Sequence, residues 1–211
     1  SRLARLIHEE ILVRHDAMGH DVNFAATFNV LYRREMLERL DGFDERYRFG
    51  QDAELAFRMI EAGHRIRFEP RSRVRHHHPT KLLPYLRKQR GQGYWRVPLH
   101  IEHRGHAGGD SYSSILDHAS PPLAMLALAS LALLAPAIWL PWLALGPLLL
   151  LAPLFAMQAP MALRMFRRSG RVEMLLFMPM SMLRALWRGF GLAAATIDVL
   201  LRRLPVRKRG G

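Results

Sequence analysis

The sequence predicts an α/β lobe followed by a helical membrane hairpin and a basic, interfacial C-terminal segment. Three observations lead there. Residues 27–79 alternate short helical runs with short strand-like runs punctuated by Gly and Pro. Residues 121–163 carry no charge at all. Arginines then cluster directly after that apolar block and again near the end of the chain. The boundaries read as 1–118 for the lobe, 119–163 for the hairpin and 164–211 for the basic loop, last helix and tail.

Taken in order, Leu3 to Val13 is a helix-like run at the start of the chain, with no leader-like pattern before it, and it reads as beginning inside a domain. Arg33 to Leu40 is a short helix closed by Gly42. Ala53 to Ala62 is a second helix with Leu55, Ala56, Met59 and Ile60 on one side, and Gly63 serves as its stop. Strands are expected at 64–69 and 73–78, because Ile66 and Phe68 alternate with charged neighbours as on a sheet covered on one face. Lys81 to Trp95 reads as a basic amphipathic helix. Gly105 to Ser114, rich in Gly and Ser, reads as a flexible boundary.

As helix, 121–163 would be about 65 Å long at ~1.5 Å per residue, against a hydrocarbon core of about 30 Å. Two crossings fit, roughly 121–140 and 143–163, turning near Trp139, Pro141 and Trp142. A buried hairpin in a soluble domain is the alternative, but a lobe of this size has too little surface to cover it. Arg164, Arg167, Arg168 and Arg171 place the following loop, and hence the lobe, on the cytoplasmic side by the positive-inside rule, and the tail Arg202, Arg203, Arg207, Lys208, Arg209 agrees. Residues 172–201, interrupted by Glu173, Arg184, Arg188 and Asp198, suit an interfacial or broken helix better than a third crossing.

Composition narrows the function. Without cysteine, disulfide frameworks and thiolate metal sites are excluded. The net charge of +13 is compatible with anionic lipid, nucleic acid or phosphorylated ligands. Basic residues flanking an apolar block favour the bilayer, and the basic residues of 1–70 are interspersed with acids without a nucleic-acid-binding motif, so no nucleic-acid partner is expected.

Two residue groups stand out for chemistry. Asp52 opens a helix, where the exposed N–H groups favour an anion. It can be a general base or simply a cap. In the run His76, His77, His78, the first and third share one face if the segment is a strand. They can be a metal ligand or solvated surface.

The ordered series Asn29-x-x-x-Arg33-Arg34, Gly42-Phe-Asp44-Glu45, Gln51-Asp52-x-Glu54-Leu-x-x-Arg58, Ala62-Gly63, Pro70 and Val74-x-His76 resembles the family 2 glycosyltransferases over about residues 20–100. The resemblance implies the C-terminal portion of a GT-A nucleotide-diphospho-sugar transferase domain with an exopolysaccharide-type membrane anchor. It implies transfer of a sugar with inversion, from a nucleotide diphosphate sugar to a saccharide or polyprenyl-linked acceptor, at the cytoplasmic face of the cell inner membrane. Asp52 matches the family's catalytic aspartate and His76 its metal- or diphosphate-binding histidine. Gln51 stands where the family commonly has Glu. Arg33, Arg34, Asp44 and Glu45 are candidate substrate contacts. Gln92, Trp95 and Arg96 lie where processive relatives carry Q-x-x-R-W, here with Trp and Arg in swapped order. A Mg²⁺ or Mn²⁺ ion would neutralise the leaving diphosphate, bound mainly by a D-x-D motif that the family places further upstream than this chain reaches. The competing reading is a non-catalytic, membrane-anchored adaptor that binds anionic lipid or a protein partner. With the donor-binding half outside this sequence, the isolated chain is expected not to turn over substrate. Titration with a sugar nucleotide, with and without Mn²⁺, checks this, and tight metal-dependent binding would refute it.

Overall fold

The computed structural model describes residues 1–106, 108–204 and 206. Arg207, Lys208 and Arg209 of the expected basic tail lie outside the described residues. Eight α-helices and two very short strands follow the chain: α1 (Arg2–Asp16), β1 (Asp21–Val22), α2 (Arg34–Arg39), α3 (Gln51–Glu61), β2 (Ile66–Arg67), α4 (Leu82–Glu102), α5 (Ile115–Ser130), α6 (Leu145–Ala156), α7 (Ala159–Ser169) and α8 (Phe177–Leu200). Single 3-10 turns fill several of the gaps, including Val172–Leu176 before α8.

The α/β expectation is met only thinly. Among the described residues the sheet is one antiparallel pair, with Asp21 opposite Arg67 and Val22 opposite Ile66. Phe68 extends it by donating its N–H to the His20 carbonyl at 2.8 Å. The expected strand at 73–78 is not formed, and this segment has no regular structure. Its Val74 is 51% exposed, and among the described residues no third strand exists to receive its backbone hydrogen bonds. A lone strand without a partner or a covering layer is not stable in water.

Helices are where local sequence and packing agree. Ser1 caps α1 by accepting from the Ala4 N–H. Ser114 and Asp117 form a reciprocal capping box at the start of α5. Gly50 precedes α3 with a φ of 79°, a left-handed conformation that glycine adopts without a Cβ clash. Helix α3 buries Leu55, Ala56 and Met59 against Val22 and Ile66 on one side. On another it turns Ala53 and Phe57 toward Tyr47 and Leu99, with Trp95 packed beside them. Helix α4 runs on to Glu102, about two turns past the expected Trp95, despite Pro98 in its last turns.

The segment 105–114, expected to be a flexible boundary, is held in its described part. The Asp110 carboxylate accepts from the N–H groups of Tyr112 and Ser113 at 2.9 and 2.6 Å. Ser111 donates to Asn23 through both its N–H and its hydroxyl.

The apolar block is not two straight arms. Helix α5 ends at Ser130, 3-10 turns carry the chain through Trp139 and Trp142, and the return is divided into α6 and α7 at Met157–Gln158. Prolines at 136, 141, 147 and 153 remove backbone donors here, which shortens the regular helices. Two stretches are long and apolar enough to cross a membrane by length and composition, Ile115–Leu134 and Pro141–Ser169. Helix α8 is one unbroken helix of 24 residues rather than a broken one. Its Arg184 is 6% exposed because the guanidinium points into the protein.

Lobe and apolar helices share one packed interior. Leu6, Ile7 and Val13 of α1 meet Tyr85 and Leu86 of α4, Ala162 and Met165 of α7, and Phe177 and Met180 at the start of α8. The α4–α8 crossing is close enough to require glycine on both sides. A Cβ on Gly93 would lie 2.1 Å from the Arg188 carbonyl oxygen, and one on Gly191 would lie 2.0 Å from the Arg90 carbonyl oxygen. Both obstacles are backbone, so a methyl group must push the helices apart. Gly93→Ala or Gly191→Ala is expected to cost about 1–3 kcal/mol, the usual range for overpacking. Gly105→Ala, whose Cβ meets open space, should be near neutral. Thermal unfolding of the purified variants checks this.

Candidate functional site

Asp52 is the second residue of α3, and its Oδ1 accepts the Ala53 N–H at 2.9 Å. It makes no ion pair among the described residues. Burial raises its carboxyl pKa, the nearby backbone N–H groups and Arg96 pull it down, and Asp110 pushes it up, leaving it above the ordinary carboxylate value. The same carboxylate adds to burial in raising the Tyr32 phenol. The cap reading of Asp52 is not met: Gly50 holds the N-cap position and no side chain caps α3, while Asp52, one residue inside the helix, keeps its carboxylate in a partly desolvated position.

Helix α4 runs past this site. A Cβ on Gly91 would meet the Phe49 ring at 2.4 Å, so the loop leading to Asp52 lies directly against α4. One turn on, Arg96 faces Asp52 electrostatically and stands 3.9 Å from Asp110. Another turn on, His100 packs its ring against His118 at 5.2 Å, with its Nδ1 buried and unpartnered. Burial first, then Arg96 and His118, push the His100 pKa down to about 4.

The other residues of the Gln-Asp-x-Glu-Leu-x-x-Arg stretch are structural. Glu54 is fully buried and pairs with Arg58 one turn later at 2.7 Å. Arg58 donates to the carbonyl oxygens of Leu40 and Gly42, which ties the turn after α2 to α3. His103 donates its Nδ1–H to the Glu61 carboxylate at 2.7 Å, and its Nε2 lies 3.5 Å from Glu54. Burial disfavours its charge, but the two glutamates outweigh burial and raise its pKa.

The remaining candidates fall in separate places. Arg33 and Arg34 are exposed, and Arg34 pairs with Glu38 at 2.8 Å. Asp44 is bound to Arg46, which also bridges to the buried Glu102 on α4, while Glu45 is exposed. Gln51 is half-buried at the first position of α3. Gln92 accepts from Arg188 of α8 at 3.3 Å, next to Gln89, which accepts at 2.8 Å. Trp95 tilts against Tyr47 with ring centroids 5.3 Å apart, and both line a groove of ≈450 Å³ with Arg46, Arg48, Tyr94 and Glu102. Asp52 lines neither this groove nor a second cavity of ≈360 Å³ beside α1.

His76 is exposed and sits with other rings: Phe28 at 5.3 Å and His78 at 5.2 Å. His78 in turn meets His8 of α1, nitrogen to nitrogen at 3.3 Å. The imidazoles of 76 and 78 are thus brought near each other, without the strand expected to align them. No carboxylate joins them, and among the described residues no group of three or more His, Cys, Asp or Glu side chains is placed to hold a metal. Among the described residues, the donors do not by themselves fit a divalent ion. Sequence reading passed over Asp110 and Tyr32 as neighbours of Asp52, since neither lies in the run of short motifs; only the packing of α3 against α4 and the 110–113 turn brings them there.

The comparisons with known proteins bear on the same stretch. The family model "Glycosyltransferase like family 2" matches residues 5–94. The chain is 33% identical over 82 residues to a pre-mycofactocin glycosyltransferase of Mycobacterium tuberculosis, which covers 39% of this chain and 17% of that protein. It is 29% identical over 118 residues to the succinoglycan biosynthesis protein ExoA of Rhizobium meliloti, covering 56% of this chain and 34% of that protein. The chain thus spans between a sixth and about a third of the length of these relatives. No solved structure matches it significantly.

A pH test follows from His100. Its folded pKa lies below its unfolded value, so the unfolded chain takes up the proton first and stability falls as pH drops from about 6.5 toward about 4. His100→Gln is expected to flatten the stability curve across that window, measured by denaturant midpoints at a series of pH values; an unchanged slope would refute it.

Asp52, Glu54 and Arg58 all lie inside residues 5–94, the stretch that the glycosyltransferase-like family 2 model matches.

Proposed function

We propose that this chain forms the acceptor-side part of an inverting glycosyltransferase that moves a sugar from a nucleotide diphosphate sugar to a saccharide or lipid-linked acceptor at the cytoplasmic face of a membrane. The observation that carries the chemistry is Asp52: a carboxylate at the open N-terminus of α3, without an ion pair, partly desolvated, and with Arg96 close enough to favour its ionised form. In the proposed step, Asp52 takes the proton of the acceptor hydroxyl. The freed oxygen pair forms the new bond to the anomeric carbon while the bond to the diphosphate breaks on the opposite face. A raised pKa makes Asp52 a stronger base than an exposed carboxylate, provided the pH is high enough to ionise it. The family-model match over residues 5–94 supports the reaction class, and the succinoglycan relative's name supports an exopolysaccharide role.

Membrane anchorage is supported by the two apolar stretches, only 22% and 17% buried inside the protein. Soluble core helices of this length would be largely covered. Their exposed Leu126, Leu128, Trp139, Trp142, Leu148 and Leu149 are better matched to lipid than to water. The arginines after residue 163 put the α7 end, and with it the lobe, in the cytoplasm.

Asp52→Asn is expected to lower transfer of labelled sugar into the acceptor fraction by about 10²–10⁴-fold, with the protein still present in the membrane. In the unmodified protein the rate should fall as pH drops through a pKa above the usual carboxylate range. A variant that retains full transfer would leave the adaptor reading standing.

A further inference from the structure

A cavity of ≈360 Å³ lies where α1 meets the end of α7, lined by Arg5, His8, Glu9, Arg168, Ser169 and Arg171. We propose that it seats the phosphate of an anionic membrane lipid at the cytoplasmic headgroup level. The inference rests on the membrane reading above and assigns a ligand that the transfer reaction does not require.

Position is the first argument. Ser169 is the last residue of the apolar stretch 141–169, so the cavity opens where an inserted chain would leave the hydrocarbon. Charge is the second. The lining holds three arginines against one glutamate, and Arg164 and Arg167 on the same helix make no ion pair among the described residues. Basic pockets at the cytoplasmic ends of membrane helices suit lipid headgroups.

The arginines are engaged, but loosely. Arg5 pairs with Glu173 at 2.7 Å, Arg168 with Asp16 at 2.9 Å and Glu9 at 3.2 Å, and Arg171 with Glu173 at 3.8 Å. The three arginine side chains are 45%, 38% and 61% exposed. Pairs this open contribute little, whereas a phosphate can accept from guanidinium forks with good geometry. Exchange of partners is therefore cheap.

The third argument is the apolar rim. Immediately beyond Arg171, the turn 172–176 exposes Val172 by 69%, Leu175 by 40% and Leu176 by 45%, and Leu163 on α7 is 44% exposed. A soluble phosphate has no use for such neighbours. An amphiphile places its headgroup on the arginines and its chains along these side chains.

The test uses the whole chain in phosphatidylcholine nanodiscs containing a minority of phosphatidylglycerol, with retained lipid counted by native mass spectrometry. The unmodified protein is expected to enrich phosphatidylglycerol, and Arg168→Gln with Arg171→Gln to lose roughly thirtyfold of that enrichment, as expected for two arginines at an anionic surface. Arg65→Gln with Arg73→Gln, the same loss of charge elsewhere, should keep it. Arg168→Lys with Arg171→Lys, which disturbs the ion pairs but not the charge, should also keep most of it. No enrichment by the unmodified protein, an equal loss in the control pair, or loss in the lysine variant would overturn the proposal. Inorganic phosphate in pure phosphatidylcholine discs should leave the melting temperature unchanged; stabilisation equal to that by phosphatidylglycerol would assign the cavity to free phosphate and overturn the lipid. A chain released from membranes by alkaline extraction would sink the membrane reading itself, whereas an integrated chain without lipid preference sinks only this inference.

Discussion

The structure depends on one buried carboxylate. Glu10 on α1 receives two hydrogen bonds from Arg184 of α8, at 2.8 and 2.7 Å, and two from Arg14 one turn along its own helix, at 3.1 and 2.8 Å. Arg14 then reaches across to both oxygens of Asp117 on α5 and to the Tyr112 carbonyl. Burial alone would drive the Glu10 proton affinity up, but the two arginines reverse this and hold it below the usual value. A network of this kind is costly to bury and costly to break, because removal of one member strands the others without water. What it confers is registry: three helices far apart in sequence can meet in only one relative position if every charge is to be matched.

The polar chain continues inward. Arg184 donates to Ser181, Ser181 donates to the Gln158 carbonyl oxygen, and the Gln158 amide reaches Ser120. These contacts link α8, the α6–α7 junction and α5 in a region that is otherwise apolar. The break at Gln158 thus has a structural use, since its side chain satisfies groups on both neighbouring helices. The lobe and the apolar helices are consequently one packed unit. The packing carries a positional constraint through α4 to the site: α8 holds Gln89 and Gln92 through Arg188, and Arg96, further along the same helix, faces Asp52.

The motif residues divide by role once their contacts are known. Glu54, Arg58 and Asp44 resemble chemistry-bearing groups in sequence, yet each is consumed in an ion pair that fixes a turn or a helix start. Asp52 makes no ion pair among the described residues and keeps only the longer-range field of Arg96; a partly desolvated carboxylate held this way adds little to stability, which supports the proposed role in proton transfer.

Along the chain alone, the pattern located most of the helices, the apolar block and Asp52 in the first turn of α3, and the ordered motifs pointed to the family model that matches residues 5–94. Those features rest on local periodicity, capping and a colinear set of short motifs, all of which survive without knowledge of distant contacts. Only the tertiary structure decided that the segment 73–78 stays irregular, because a strand needs a partner that pattern alone cannot supply. Packing likewise made 177–200 one unbroken α8 after the 3-10 turn at 172–176, because the arginines that seemed to interrupt it turn inward to Glu10, Gln89 and Gln92. And it decided that Tyr32, Arg96 and Asp110 surround Asp52 while His76 packs with Phe28 and His78, since the helix crossings that bring some side chains together and keep others apart are fixed by close backbone approach at Gly93 and Gly191 and by buried charge, neither of which has a signature along the chain.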